Sequence, residues 1–562
     1  MTQDTRFSEL PYSRPVLDAV QSANTELLAT FQAAQSADEQ AAVLDAWEAQ
    51  RRSFQTNASL ASVRFSQDTT SPAVREEKEF FDNIHPTILG DKIRFLEAVL
   101  GSDHRPALES KMGGHVFRLW ESELTTFRDE IADDKRTESS LTNRYNTLLA
   151  GLKVPFQGTE HTLSTIRGLF GDADRSVRLG ATQAQAAALG GVSGELDEIF
   201  AELVTVRDRM ARRLGYDSYT PLGYREMSRT DYGPAEVAAF RDAIQQTIVP
   251  LAARIRQRQA GAIGVSDYAF HDEAIRDLKG SPKPAGDHDW MLDRAEEMFR
   301  KMGGDFEQFF SMMRKRDLLD LKSRPGKTGG GFCTSFEEYE VPFIFANFNG
   351  TQDDVNVFTH ECGHAFQAYT SRSLRPREYL WPTYEACEIH SMGLEFLTYP
   401  HMDLFFGDDA TRFRTGHLES ALTFLPYGAA VDGFQHQIYK TPGAAASDRL
   451  AQWQEMEARF LPWRRYVDTP YFEGGRLWQR QRHIYNRPFY YIDYCLAQVC
   501  ALQLWSRARK DRPGTMALYR ELCALGGSKP FTALLSAVGL DNPFDPDVIA
   551  RVASEAAEAL DL

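Results

Sequence analysis

His360, Glu361 and His364 lie in the run FTHECGHAFQ, two imidazoles four residues apart with a carboxylate directly after the first. With thirteen histidines in 562 residues, composition alone produces H-E-x-x-H in roughly one such chain in fifty, so the surrounding residues must decide what the pattern means. On a helix, positions four apart fall one turn apart on the same face and can converge on one ion. Glu361 projects about a quarter-turn away, off the ion but within reach of a water beside it. The competing reading is two histidines on a solvated polar face.

The segment has the marks of a helix. Thr351 followed by Asp354 resembles a capping box, and Asp353 and Asp354 put negative charge into the first turn, where the helix dipole favours it. Val355, Phe358, Cys362, Ala365, Phe366 and Tyr369 then recur three and four apart, which predicts one face in a core and the histidines nearly opposite. Cys362 falls in that stripe and reads as a small buried hydrophobe. Gly363 costs about 1 kcal/mol in a helix interior relative to alanine, so it marks the close approach of another element.

Catalytic zinc needs three protein ligands and an open position. Gln367 and Thr370 stand where a metzincin would carry its glycine and third histidine, so the third ligand must lie farther on. Downstream, PTYEACEIHSMGLEFLTYP opens on a proline suited to a first helical turn and carries Glu385, Glu388 and Glu395 within about a quarter-turn of one another. Ala386, Ile389, Gly393, Leu394 and Leu397 lie mostly on the other side, and His390 goes with them as a packing residue. A solvated acidic face would give the same pattern.

The pair His360-Glu361-Cys362-Gly363-His364 and Glu388-Ile389-His390-Ser391-Met392-Gly393-Leu394-Glu395 resembles the H-E-x-G-H and E-x-x-S-x-x-x-E motifs of the M3 zinc oligopeptidases, in particular the oligoendopeptidase F and Pz-peptidase branch. The resemblance implies one Zn²⁺ per chain on His360, His364 and Glu388, with Glu395 a supporting acid. Upstream, GKTGGGFCTSFEEYEVPFIFANFNGTQDDV is similar to the family's glycine-rich turn and short strand. Val341–Phe348 is β-branched and aromatic enough for a strand, expected at a sheet edge where an extended peptide could pair with it. The triple glycine Gly329–Gly331 is no phosphate cradle, since no Gly-Lys-Ser/Thr follows it. Farther on, RHIYNRPFYYIDYCLAQVC is similar to the branch's H-x-Y-x-x-P-F-Y segment. By that likeness His483 and a subset of Tyr490, Tyr491 and Tyr494, on a helix started by Pro488, assist the scissile carbonyl; tyrosines at this spacing are also common in cores.

The rest of the chain agrees with a large helical protein without repeats or low-complexity tracts. LDEIFAELVTVRDRMARRLGYD lines Leu196, Ile199, Phe200, Leu203, Met210 and Leu214 on one face and stops at Gly215. Glycines between Gly190 and Gly194 suggest a boundary between an N-terminal helical lobe, 1–190, and a catalytic part, 191–562. A formal charge of −16 argues against nucleic acid and anionic membrane surfaces as partners. No signal-like or bilayer-spanning run is present, and the six cysteines form no C-x-x-C pair, which points to the cytoplasm and reduced thiols. The expectation is a mainly α, two-lobed zinc metalloendopeptidase with a small β-sheet beside the metal helix and a deep substrate channel, cleaving short unstructured oligopeptides with Glu361 as general base. The alternatives are a helical peptide-binding scaffold and a peptidase that releases C-terminal dipeptides.

Overall fold

Apolar positions three and four apart recur through most of the sequence, and the computed structural model, which describes residues 5–562, is accordingly mainly helical with one small mixed sheet. Its contacts divide it into two units that alternate along the sequence. One comprises the chain through Leu124, Lys283–Ala410 and Arg507–Leu540; the other comprises Thr125–Pro282, Thr411–Ser506 and Asp541–Leu562.

In the first unit, helices Leu17–Ala33, Ala37–Gln67 and Pro72–Leu100 pack on one another. Ser36 caps the second of these, accepting the Glu39 amide at 3.2 Å while the Glu39 carboxylate accepts from Gln35 at 2.7 Å. Their core is aromatic: Trp47 stacks on Phe95 at 4.3 Å between centroids and meets Trp120 edge-on.

The sheet of this unit contains strands β1 (Leu319–Lys322), β2 (Phe332–Phe336) and β3 (Val341–Phe348) in the order β1-β3-β2. The sequence expectation of an edge position for Val341–Phe348 is therefore corrected: β3 is central, parallel to β1 and antiparallel to β2. The reason lies in β1, whose short and mostly polar LDLK gives little strand signal yet occupies that side. Burial of every side chain from Val341 to Ala346 fits a strand flanked on both sides. Between β1 and β2, Lys327 is withdrawn from solvent and donates to the Asp320 carboxylate at 2.9 Å and to the Ala346 carbonyl at 2.5 Å. That clip ties the glycine-rich turn to β1 and β3. Gly330, at φ +95°, takes the backbone path that a side chain would resist.

The second unit contains Ser193–Arg213, whose Leu196, Ile199, Phe200, Leu203 and Met210 are buried as the periodicity predicts, with Gly215 at φ +87° just beyond it. It also holds a small hairpin, Val154–Phe156 with Thr159–His161, which carries no sequence signal of its own. Among the described residues, no helix is long and apolar enough to cross a membrane, and no disulfide joins any of the six cysteines.

Candidate active site

The motif helix runs Gln352–Ser371. Its start differs from the predicted capping box: the Thr351 side chain does not cap the helix but bonds Asn349, while the Asp354 carboxylate accepts the amides of Asn349 and Gly350 at 3.0 and 2.7 Å. The acid thus ties the turn after β3 to the first turn of the helix. Val355, Phe358, Cys362, Ala365 and Phe366 are buried as expected.

The second, acidic helix spans Tyr384–Leu397 after an N-cap at Thr383, so Pro382 precedes the cap rather than occupying the first turn. It lies directly on the motif helix. A Cβ built on Gly363 would stand 2.3 Å from the His390 carbonyl oxygen and 2.6 Å from the Ser391 Cα, closer than any real contact. Gly363 is therefore where the two backbones touch. His390 is fully buried beside that crossing, and burial lowers its pKa to about 4, so it packs as a neutral imidazole. Its carbonyl also accepts the Tyr519 hydroxyl at 2.7 Å.

This crossing brings three metal-competent atoms together. Glu388 Oε2 lies 3.2 Å from His360 Nε2 and 3.5 Å from His364 Nε2. The ligand atoms of all three residues fall within 4.8 Å of one another, the one such group among the described residues. Tetrahedral zinc with bonds of about 2.05 Å requires ligand separations of about 3.3 Å, which the two distances from Glu388 Oε2 match, and two imidazoles with one carboxylate are a donor set that suits that ion. The candidate donors are also oriented from behind. His360 Nδ1 lies 2.7 Å from Glu395 Oε1, which turns Nε2 toward the site. Ser391 Oγ lies 3.0 Å from both Glu388 Oε2 and the Glu388 carbonyl oxygen, its one proton shared between the two acceptors. Ser391 is the serine of the E-x-x-S motif, and the i,i+3 spacing brings its hydroxyl to the Glu388 carboxylate. Glu385, the other carboxylate weighed in this helix, is fully buried and accepts from Thr383 Oγ1 at 3.0 Å, outside the group.

The electrostatics follow from crowding. Although burial opposes a charged imidazole, hydrogen bonds and charge from Glu388 and Glu395 hold His360 well above its ordinary pKa. Burial likewise opposes the Glu388 carboxylate, but His360 and His364 hold it well below its ordinary range. Glu361 is raised, chiefly by burial, with the two histidines pulling the other way. It is 7% exposed, and its Oε2 is buried without a hydrogen-bond partner in the protein.

His483, Tyr490, Tyr491 and Tyr494 form their own cluster in the second unit, with the His483 ring 5.6, 5.0 and 5.8 Å from the three phenol rings in turn. The helix begins at Tyr491, so Pro488 does not start it and Tyr490 precedes it. Phe489 intervenes at φ +65°. That turn is held from both sides, its amide donating to Gln435 Oε1 at 3.0 Å and its carbonyl accepting from Arg229 at 2.6 Å. The ring fits against Gly223, where any Cβ would come within 2.7 Å of it. Gln481 bridges the Tyr427 hydroxyl, at 3.0 Å, and His483 Nδ1, at 2.8 Å. Neither partner is signalled by sequence.

Comparison with known proteins gives the family. Residues 7–127 match the model of the peptidase M3 N-terminal domain, and residues 304–554 match that of peptidase family M3. The chain belongs to peptidase family M3 and is a peptidase. Among solved structures it is similar to a provisionally named oligoendopeptidase F (42% identity, TM-score 0.94, 99% of each chain covered) and to Pz peptidase A in complex with an inhibitor (40%, 0.94, 99% of each). A provisionally named oligoendopeptidase F from Bacillus anthracis is also similar (40%, 0.90, covering 99% of this chain and 98% of that one). No curated protein matches the chain.

Proposed function

We propose that this peptidase is a zinc-dependent endopeptidase that hydrolyses internal bonds of short, unstructured oligopeptides. The observation that carries the reading is the meeting of His360 Nε2 and His364 Nε2 at 3.2 and 3.5 Å from Glu388 Oε2, with the buried Glu361 carboxylate in the same helix turn. One zinc per chain, held by these three residues, would supply Lewis acidity toward a water and the scissile carbonyl.

Glu361 is the general base. Its carboxylate sits directly after His360 in the chain, and its Oε2 is buried without a hydrogen-bond partner in the protein, so that oxygen is available to a water. It takes the proton of the attacking water and delivers it to the leaving amine. Glu395 holds His360 through Nδ1, and Ser391 holds Glu388, so the donor set is prepared before substrate arrives. His483 with one or two of Tyr490, Tyr491 and Tyr494 provides hydrogen-bond donors for the oxyanion, an interaction worth about 3 kcal/mol per donor; the support is the likeness of RHIYNRPFYYIDYCLAQVC to the family's H-x-Y-x-x-P-F-Y segment. The six cysteines without a disulfide and the −16 charge favour a cytoplasmic enzyme acting on peptides.

The test is hydrolysis of a peptide blocked at both ends, measured before and after removal and return of zinc. Internal cleavage that stops with the chelator and resumes with zinc is expected. Cleavage only of peptides with a free C-terminus, two residues at a time, would replace this reading with the dipeptide-releasing one.

A further inference from the structure

Beside the site, the first unit carries a groove of about 460 Å³, within the size range of ligand pockets. One wall is the start of β2, Phe332 to Thr334, and the other is the helix pair Ala37–Gln67 and Pro72–Leu100. The apolar lining comes from Phe54, Ala58, Val63, Phe81 and Phe332, with Ser62 among them. The charged lining largely cancels: Lys78 pairs with Asp82 at 2.5 Å, and His85 completes it.

Two features connect this groove to the chemistry. The first is Gly331, immediately before β2. A Cβ there would lie 3.5 Å from Glu361 Oε1 and 3.3 Å from Val357 Cγ1, so β2 starts against the carboxylate proposed as base. The second is the sheet order. With β3 central, β2 has one strand partner and its other side is an edge. Toward its end that edge closes, because Ser335 and Phe336 are buried and the Glu338 amide donates to Thr56 Oγ1 at 2.8 Å. Phe332, Cys333 and Thr334 remain half-exposed along the groove. A strand advances about 3.4 Å per residue, so this accessible stretch extends about 10 Å from the Glu361 carboxylate.

We propose that this groove is a specificity subsite: it takes one large apolar side chain, preferably aromatic, belonging to a substrate residue two or three positions from the bond that is cut. The inference rests on the endopeptidase reading and adds what that reading leaves open, the side-chain preference. An extended chain lying along Phe332–Thr334 projects alternate side chains to opposite faces, and one of them falls between the two helices. Phe54 and Phe332 line the groove with partly exposed rings, backed by Phe81 edge-on to Phe54 and by Phe345 stacked on Phe332, a lining suited to an aromatic guest. The closed Lys78–Asp82 pair selects neither sign of charge. Size and apolarity are what remain for the groove to read.

The experiment uses blocked, internally quenched peptides in which each residue within three positions of the cut is varied through Ala, Leu and Phe. In the wild-type holoenzyme one position on one side is expected to raise kcat/KM at least tenfold from Ala to Phe. Ser62→Trp, which fills the groove, is expected to bring that Phe-to-Ala ratio to about one; the ratio is insensitive to any general loss of activity. Ala58→Phe repeats the test should Ser62→Trp fold poorly. A third measurement leaves the groove intact: in Glu361→Gln, a peptide with a photoreactive benzoylphenylalanine at the selective position should crosslink within residues 54–63 or 78–85. A flat size profile in the wild type, a ratio preserved in folded groove variants, or crosslinks elsewhere would overturn the subsite while leaving the endopeptidase standing. Zinc-loaded wild type that cleaves no blocked peptide would overturn the endopeptidase reading and the subsite with it.

Discussion

Replacing Gly363 with alanine adds a single methyl group at the contact between the two helices that carry the proposed zinc ligands. That carbon would stand 2.3 Å from the His390 carbonyl oxygen and 2.6 Å from the Ser391 Cα, both backbone atoms that no rotamer change can move. Ordinary contact requires about 3.4 Å, so the helices must separate by about 1 Å. Overpacking of this kind costs about 1–3 kcal/mol, and the better helix propensity of alanine returns about 1 kcal/mol. The net stability loss is therefore at most about 2 kcal/mol, and the protein should fold. The metal site has less tolerance. Glu388 lies one helical turn or less from the residues displaced, and ligand distances must hold to about 0.2 Å. Gly363→Ala should thus retain its helical circular dichroism while losing most of its zinc and its activity. The assay is zinc per chain by elemental analysis after desalting, with thermal unfolding recorded with and without chelator. Full zinc content and an unchanged response to chelator would refute the contact argument, since the methyl would then have been absorbed without moving Glu388.

Ser391→Ala removes the hydroxyl 3.0 Å from Glu388 Oε2 and should weaken zinc binding by about 10–100-fold, whereas Glu385→Gln should leave it unchanged; competition with a chelating dye measures both. In the metal-free protein the sign of the pH effect is set by His360 and Glu388. The raised His360 pKa gives stability that is complete below about pH 6.5 and is lost as pH rises through the folded value, and the lowered Glu388 pKa gives stability present above about pH 4.5 and lost on further acidification. The difference in urea midpoint between metal-free wild type and metal-free Glu395→Gln should accordingly shrink as pH rises through the folded His360 value; a widening difference would contradict the ion-pair account. Tyr491→Phe and Tyr494→Phe should keep zinc and KM while lowering kcat, because the proposed hydrogen bonds act on charge that appears in the transition state. Unchanged kcat in both would return these residues to the aromatic packing seen around Phe424.

Much of the site region is legible because helix periodicity is a strong signal. The apolar stripe of the motif helix separates His360 and His364 from the core, and the one glycine that interrupts the helix marks the crossing with the acidic helix. What the sequence leaves open depends on neighbours distant along the chain. Val341–Phe348 reads as a strand from its own residues, but its central position depends on LDLK, a segment too short and polar to advertise itself. The Phe489 turn is similar: nothing local predicts a left-handed phenylalanine, because its support comes from Arg229, Gln435 and the space above Gly223. The spacing of Asp354 from Thr351 predicts a capping box, whereas its carboxylate accepts two amides outside the helix, from a turn that spacing does not describe.

The central claim is that His360, His364 and Glu388 hold one zinc ion and that Glu361 acts on substrate without holding it. Its most direct test is zinc stoichiometry across one set of purified proteins. Wild type and Glu361→Gln should each carry one zinc per chain, with turnover lowered about 10²–10⁴-fold in Glu361→Gln. His360→Ala, His364→Ala and Glu388→Ala should carry essentially none. Zinc-free wild type that still cleaves peptides, zinc retained in Glu388→Ala, or zinc lost in Glu361→Gln would each contradict the account.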